Sequence, residues 1–289
     1  MGKMRKTRID SSIIKRMICI ILIAVFVVLD LTIGNTLKFD VVMADSVDGT
    51  VYSPDVPYYF YNGDKYTGEW LDGSLNGNGT YKYKGVGTYK GSFVDGLRNG
   101  KGTFKWDNGS VYEGKWSDDC IHGKGKYTSS KGVVIKGEFS YDTFVKGTIT
   151  YKYNKNVYVF KVSKGKYTGH VTIKYKNGCK YSGKYSGNTL NGKGTMKYKN
   201  GDVYSGNWVK GERSGSGKYK WSNGAYYKGN WKKDKMNGKG TYFYDKKSKG
   251  KSLKGTFLNN KPNGTLKYIT RKGKKYTTLW ENGNCVKLY

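Results

Sequence analysis

An aromatic or aliphatic residue opens a Tyr-x-Gly-x-Trp-like pentad ten times in this chain. The starts are Tyr66, Tyr89, Tyr112, Ile135, Tyr158, Tyr181, Tyr204, Tyr227, Leu253 and Tyr276, and they fall 23 residues apart with one exception. The exception is the 26-residue step from Tyr227 to Leu253, where Lys246 to Lys251 supply an insertion. A fixed period of this length dictates a stacked array of one small unit, because each copy can bury its apolar face only against the next. A globule round a central pocket is excluded, and the search for function moves to extended surfaces.

Side chains of a strand alternate between its faces, so the pentad's aromatic, glycine and second aromatic share one face. These structural positions are Tyr66, Gly68 and Trp70; Tyr89 and Gly91; Tyr112, Gly114 and Trp116; Tyr181 and Gly183; Tyr204, Gly206 and Trp208; and Tyr227, Gly229 and Trp231. Gly77, Gly79, Tyr81 and Tyr83 share a face of the following strand in the same way. Glycine inside a strand marks a close approach to the backbone, and the expected visitors are the neighbouring Tyr and Trp rings. Asn108-Gly109, Asn177-Gly178, Asn200-Gly201 and Asn223-Gly224 separate successive units, and Asn-Gly is a strong hairpin signal. The expected fold is all-β, an elongated single antiparallel sheet of about ten stacked hairpins. One hairpin alone is too small to be stable.

The stretch Tyr66-x-Gly68-x-Trp70-x-x-Gly73-x-x-x-Gly77-x-Gly79-Thr80 resembles the MORN repeat (membrane occupation and recognition nexus), as do the units from Tyr89, Tyr112, Tyr181, Tyr204 and Tyr227. The resemblance runs from about Tyr58 to the C-terminus. It implies β-hairpin arrays with roles in phospholipid binding, membrane attachment and protein assembly. The units from Ile135 and Tyr158 depart from the pattern. Lys146 replaces the first paired glycine in one, and Phe160 and Val162 replace Gly and Trp in the other, so a local bend or altered groove is expected there.

Residues 1–44 read differently. Lys3, Arg5, Lys6, Arg8, Lys15 and Arg16 precede an uncharged apolar run from Met17 to Leu29, and Val42-x-Ala44 offers small residues before a cut between Ala44 and Asp45. This is the pattern of a helical secretory signal peptide; the alternative is an uncleaved membrane anchor, for which the run is short. The expected layout is therefore 1–44 signal peptide or signal anchor, 45–57 linker and 58–289 array. The chain would be secreted or at the cell surface, and membrane-anchored if uncleaved. Cys120, Cys179 and Cys285 occupy different repeat positions and imply no disulfide framework.

There are 53 Lys and Arg against 21 Asp and Glu, a formal charge of +32, and an excess of this size signals an anionic partner. Alternation places Lys101, Lys105, Lys124, Lys126, Lys193, Lys197, Lys218, Lys220 and Lys239 on the face opposite the aromatic layer. One reading is a solvated face that keeps a bare sheet soluble. The other is a docking strip for anionic lipid or a teichoic-acid-like cell-wall polymer. A protein partner and a homodimer are also compatible, whereas nucleic acid suits an exported chain poorly.

The aromatic layer is expected to be structural, with Trp106 and Trp221 the candidates for exposure and for stacking on sugars. That second use gives the alternative of a glycan-binding wall attachment module, similar to choline-binding repeats but without their Gly-Trp and Trp-Tyr-Tyr signatures. Gly211 to Lys218 imitates a phosphate-binding loop, yet has one residue too many between its glycines and no Ser or Thr after Lys218. His122 and His170 fall in different units and are expected as exposed turn or strand residues. No catalytic, cofactor or metal constellation is expected.

Overall fold

The computed structural model describes residues 54–289. The expected helical leader and the expected Ala44–Asp45 cut lie outside the described residues. Within them the protein is all-β: strands consecutive in the chain pair antiparallel, and all belong to one sheet. The chain divides into two compact units, one reaching Tyr151 and including Lys161–Thr168, the other comprising Lys152–Phe160 with Gly169–Tyr289.

The hairpin of strands Val203–Val209 and Glu212–Lys220 shows why the pentad has its composition. Tyr204 pairs with Tyr219 and Gly206 with Gly217, after which a β-bulge brings Trp208 opposite Arg213. A bulge withdraws a backbone group from the ladder. Here the Tyr204 hydroxyl donates to the Asn207 carbonyl at 3.0 Å, within the irregularity. To reach it the ring lies flat across both strands, and that requires bare backbone. A Cβ on Gly217 would sit 2.3 Å from the Tyr204 hydroxyl, and one on Gly206 2.5 Å from it. Gly215 has a separate duty, since its φ of +68° is left-handed. The two glycines of Gly-x-Gly are thus demanded by different constraints.

The bond recurs in both units at 2.7–3.3 Å, from Tyr66 to Glu69, Tyr89 to Ser92, Tyr112 to Lys115, Tyr181 to Lys184 and Tyr227 to Asn230. All six tyrosines are fully buried. Each is edge-to-face with a neighbouring Trp or Phe ring. Tyr204 meets Trp208 of its own hairpin at 5.1 Å and Trp231 of the next at 5.3 Å, and Tyr66 likewise meets Trp70 at 5.2 Å and Phe93 at 5.4 Å. Such pairs contribute about 0.5–1.5 kcal/mol each beyond burial. In the hairpin from Ile135 there is no hydroxyl, Lys146 pairs with Glu138, and the irregularity contracts to the step from Glu138 to Phe139.

The two ends of each hairpin close differently. Asp118–Asp119, Lys233–Asp234 and Asn259–Asn260 have positive φ at both central residues, the type I′ turn that matches strand twist. The Asn-Gly pairs instead sit in three-residue loops. Gly109 alone turns left-handed, its N–H donating to the Trp106 carbonyl, while Trp106 N–H donates to the Ser110 carbonyl.

Both ends reach into neighbouring hairpins. The Asp202 carboxylate accepts from the Tyr219 hydroxyl at 2.6 Å and the Ser222 N–H at 2.8 Å. Asp119 accepts from the Arg98 N–H at 2.8 Å and Nε at 2.9 Å, and the buried Arg98 guanidinium stacks 4.4 Å from the Trp116 ring centre. Arg213, Asp234 and Trp231 repeat that arrangement in the second unit.

Tyr204→Phe leaves the Asn207 carbonyl without its donor and is expected to cost about 1–3 kcal/mol in urea unfolding. Gly217→Ala must displace the ring and is expected to cost more. Burial pushes the Tyr227 hydroxyl up to about 12, and raises Tyr66, Tyr89, Tyr112 and Tyr204 as well. A free phenol titrates near 10, so the folded state keeps protons that the unfolded chain releases. Stability is undiminished below about pH 10 and falls as pH rises above it. Circular dichroism against pH should show unfolding there, and unfolding in mild acid instead would contradict this account. Asp119→Ala strands the buried Arg98 and is expected to cost about 3–5 kcal/mol in the same urea assay. Asp234→Ala, at a more exposed pair, costs less.

Candidate functional site

Roofing the sheet with rings on one face leaves the other free of structural duty, and there the second unit carries an open trough of about 1290 Å³. Two rows of side chains flank it. Ser182, Thr195, Ser205, Lys218, Lys228, Thr241 and Lys254 are successive cross-strand neighbours in one row. Lys184, Lys193, Asn207, Ser216, Asn230, Lys239 and Thr256 form the other. Between them lies glycine backbone from Gly183, Gly194, Gly206, Gly217, Gly229, Gly240 and Gly255. The repeated bulges, which bend a strand, account for the hollow.

The lining carries six lysines and no aspartate or glutamate. Lys218 stands directly opposite Lys228, and the Lys218 ammonium lies 4.2 Å from the Tyr226 ring centre. The hydroxyls and amides are partly engaged with one another: Thr195 with Ser205 at 2.8 Å, the Asn207 amide donating to Ser216 at 3.2 Å, and His170 Nε2 with Ser182 at 3.1 Å. Each has further capacity to donate or accept.

The first unit has a smaller hollow of about 460 Å³ on the same face, lined by Lys101, Lys115, Lys124, Thr103, Gly102 and Gly114. Its surroundings include acids. Lys126 is paired with Glu113 at 3.2 Å, and Glu138 stands opposite both Lys124 and Lys146.

Of the lysines singled out from sequence, Lys193, Lys218 and Lys239 line the trough, and Lys101 and Lys124 the smaller hollow. Lys105, Lys197 and Lys220 are exposed but stand one pleat away, opposite Val111, Val203 and Tyr226 respectively. Lys184, Lys228 and Lys254 line the trough and escaped that reading, which considered only second strands. The positions on either side of the pentad's glycine, as in Tyr227-Lys228-Gly229 and Gly183-Lys184-Tyr185, are the signal that finds them.

Trp106 and Trp221 are half-buried between aromatics, at 4.6 Å from Phe104 and 4.9 Å from Tyr219. They bridge neighbouring hairpins and do not stand out as exposed rings. His122 is also half-buried, against Tyr141 at 4.8 Å, and His170 is half-buried at the trough. Both were expected to be exposed. Cys120, Cys179 and Cys285 are free thiols, and burial, aided by Asp142, pushes Cys120 up to about 11. Among the described residues no group of three or more His, Cys, Asp or Glu could hold a metal ion, and no helix is long and apolar enough to cross a membrane.

Six segments, 66–85, 89–111, 112–134, 181–203, 204–226 and 227–249, match the model of the MORN repeat. The chain is a MORN-repeat protein. MORN repeats are generally non-catalytic and mediate binding to lipids or proteins. The matched segments omit the units from Ile135, Tyr158, Leu253 and Tyr276, in each of which the Tyr-x-Gly start is altered.

Among solved structures, this MORN protein is similar to the SAS-4 (dCPAP) TCP domain of Drosophila melanogaster in complex with a proline-rich motif of Ana2. The identity is 15%, over 57% of this chain and 83% of that one, with a TM-score of 0.29. It is also similar to the wild-type TCP10 domain of Danio rerio CPAP, at 8% identity over 78% of this chain and 100% of that one, with a TM-score of 0.31. Likeness at this level carries no inference about a partner. No curated protein matches the chain.

Like charges directly opposite on neighbouring strands are destabilising, and in the trough Lys218 faces Lys228 with no acid in the lining. Lys228→Gln is therefore expected to raise the unfolding free energy from urea titration at low salt by about 0.2–1 kcal/mol. The gain should fade as salt screens the pair. An unchanged gain at high salt would show that charge is not its cause.

Proposed function

We propose that this MORN array is a non-catalytic binding module of the cell envelope, which contacts anionic lipid or wall polymer through its lysine-rich polar face. The observation that carries the reading is the trough: six lysines with hydroxyl and amide neighbours and no carboxylate in the lining. The leader pattern from Lys3 to Ala44 supports export. A cleaved leader gives a secreted or surface-bound protein, and an uncleaved one an anchored protein.

Near an anionic surface each lysine contributes up to about 1 kcal/mol, and the contribution falls with ionic strength. The glycan-binding alternative needs free aromatic faces. The six roofing tyrosines are fully buried, and Trp106 and Trp221 are packed between hairpins. A protein partner would find the same trough available, and an acidic segment would suit it best.

The test is co-sedimentation of residues 45–289 with anionic vesicles and with purified cell wall, at low and high salt. Binding to at least one, lost at high salt, is expected. Binding that persists at high salt and is competed by a small sugar or choline would overturn the lysine reading, and hydrolysis of a wall or lipid substrate would overturn the non-catalytic one.

A further inference from the structure

We infer that anion binding resides in the trough of the second unit and that its occupant is a single linear phosphodiester chain lying across the strands. The inference rests on the polar-face reading above, and specifies where on that face the ligand sits and what form it has.

Sign separates the two units. Lys184, Lys193, Lys218, Lys228, Lys239 and Lys254 share a lining without an acid. The lining of the first unit's hollow also lacks an acid, but acids stand directly across from it: Glu138 faces Lys124 and Lys146, and Glu113 faces Thr103 and is paired with Lys126. Lysines already compensated by protein carboxylates gain less from an external anion, because the Coulomb energy is partly satisfied.

Shape separates polymer from membrane. The trough is concave and runs across the strands, so a flat bilayer does not follow its surface. A linear chain can lie along the hollow, where Ser216, Thr241 and Thr256 offer hydroxyls beside the ammonium groups. The six lysines are carried on strands from Lys180–Ser186 to Gly250–Leu258, six strand steps and about 29 Å at about 4.8 Å each. One small anion cannot engage positive charge distributed over that length; a polymer charged at every unit can. The facing pair Lys218 and Lys228 places two of those charges where one phosphate gains from both.

The type of cation also matters. The trough contains no arginine, whose planar fork fixes a carboxylate or phosphate in one geometry. Lysines are flexible point charges. They hold a chain without fixing its register, weakly per unit and tightly through many units together.

The test keeps the chemistry constant and changes the geometry. Residues 45–289 are titrated by calorimetry with a poly(glycerol phosphate) chain, and separately with phosphatidylglycerol vesicles, which present the same phosphodiester in a plane. The polymer is expected to bind more tightly per phosphate and to displace the protein from the vesicles. The triple variant K193Q/K218Q/K239Q is expected to weaken polymer binding about 100-fold, and K101Q/K115Q/K124Q less than about tenfold. Lysine-to-arginine changes at the first three positions should restore affinity, with unchanged circular dichroism confirming the fold of each variant. Equal losses from the two triple variants, or vesicles binding as tightly as polymer, would overturn this inference and leave the polar-face reading standing. Failure to bind either ligand at low salt would overturn both.

Discussion

The hydrogen bond from a buried tyrosine hydroxyl to a bulge carbonyl is the interaction on which the rest of the structure depends. A bulge leaves a carbonyl off the ladder, and an unpaired backbone group in a packed layer costs about 1–3 kcal/mol. Tyr66, Tyr89, Tyr112, Tyr181, Tyr204 and Tyr227 answer it from their own strands, at 2.7–3.3 Å. Phenylalanine fills the same volume without the donor, and tryptophan's N–H lies elsewhere on its ring. The hydroxyl reaches the carbonyl only if the ring lies on bare backbone, which requires glycine on both strands, as at Gly206 and Gly217. The edge-to-face contacts with Trp or Phe of two hairpins then follow from where the ring has been put. Tyrosine, two glycines and a large second aromatic are thus consequences of one carbonyl.

That requirement sorts the sheet's faces. The ring-bearing face is committed to packing and admits charge where it is met by a partner: Arg98 and Arg213 by an aspartate and a tryptophan ring, Asp64 and Asp202 by a tyrosine hydroxyl and a backbone N–H. At the corresponding place in other hairpins stand Leu75, Ile121, Leu190 and Met236, beside Trp70, Trp116, Tyr185 and Trp231. An arginine can take an apolar position because its stem packs and its head is met by the next hairpin's turn. The opposite face carries no such obligation, so its composition is set by solubility and by whatever binds it.

Period-two alternation made the face assignment and the hairpin unit legible in the sequence, and with them Lys193, Lys218 and Lys239 of the trough. Local pairing was harder to read. Asn-Gly proved to close three-residue loops, while the type I′ turns fell to pairs such as Asp118–Asp119 and Asn259–Asn260, whose tolerance of left-handed φ is a weaker signal than glycine's. Lys184, Lys228 and Lys254 are harder to read because they lie on first strands, where the equivalent positions mix Lys with Ser, Asn and Thr from unit to unit. Trp106 and Trp221 looked exposed because they come last in their strands, yet the next hairpin supplies Tyr127 and Tyr242 to cover them. Contacts between repeats, 20 or so residues apart, are what a single unit's pattern does not contain.

Net charge alone would assign both units the same role, and the distribution of acids argues otherwise. Lys126 and Glu113 on the first unit's polar face form an ion pair in which both side chains are about half exposed. Such a pair adds little to stability, about 0–1 kcal/mol. Its larger effect is on the field, since a carboxylate within a few ångströms cancels most of what an approaching anion would experience beyond a Debye length of about 8 Å. In the trough of the second unit nothing in the lining performs that cancellation, and the facing lysines Lys218 and Lys228 even incur a cost of proximity. Like charges facing one another, as Lys218 and Lys228 do, weaken the free protein slightly and strengthen its complex with an anion by removing the same repulsion. The arrangement therefore favours occupancy twice, through attraction to the ligand and through relief of strain among the lysines themselves.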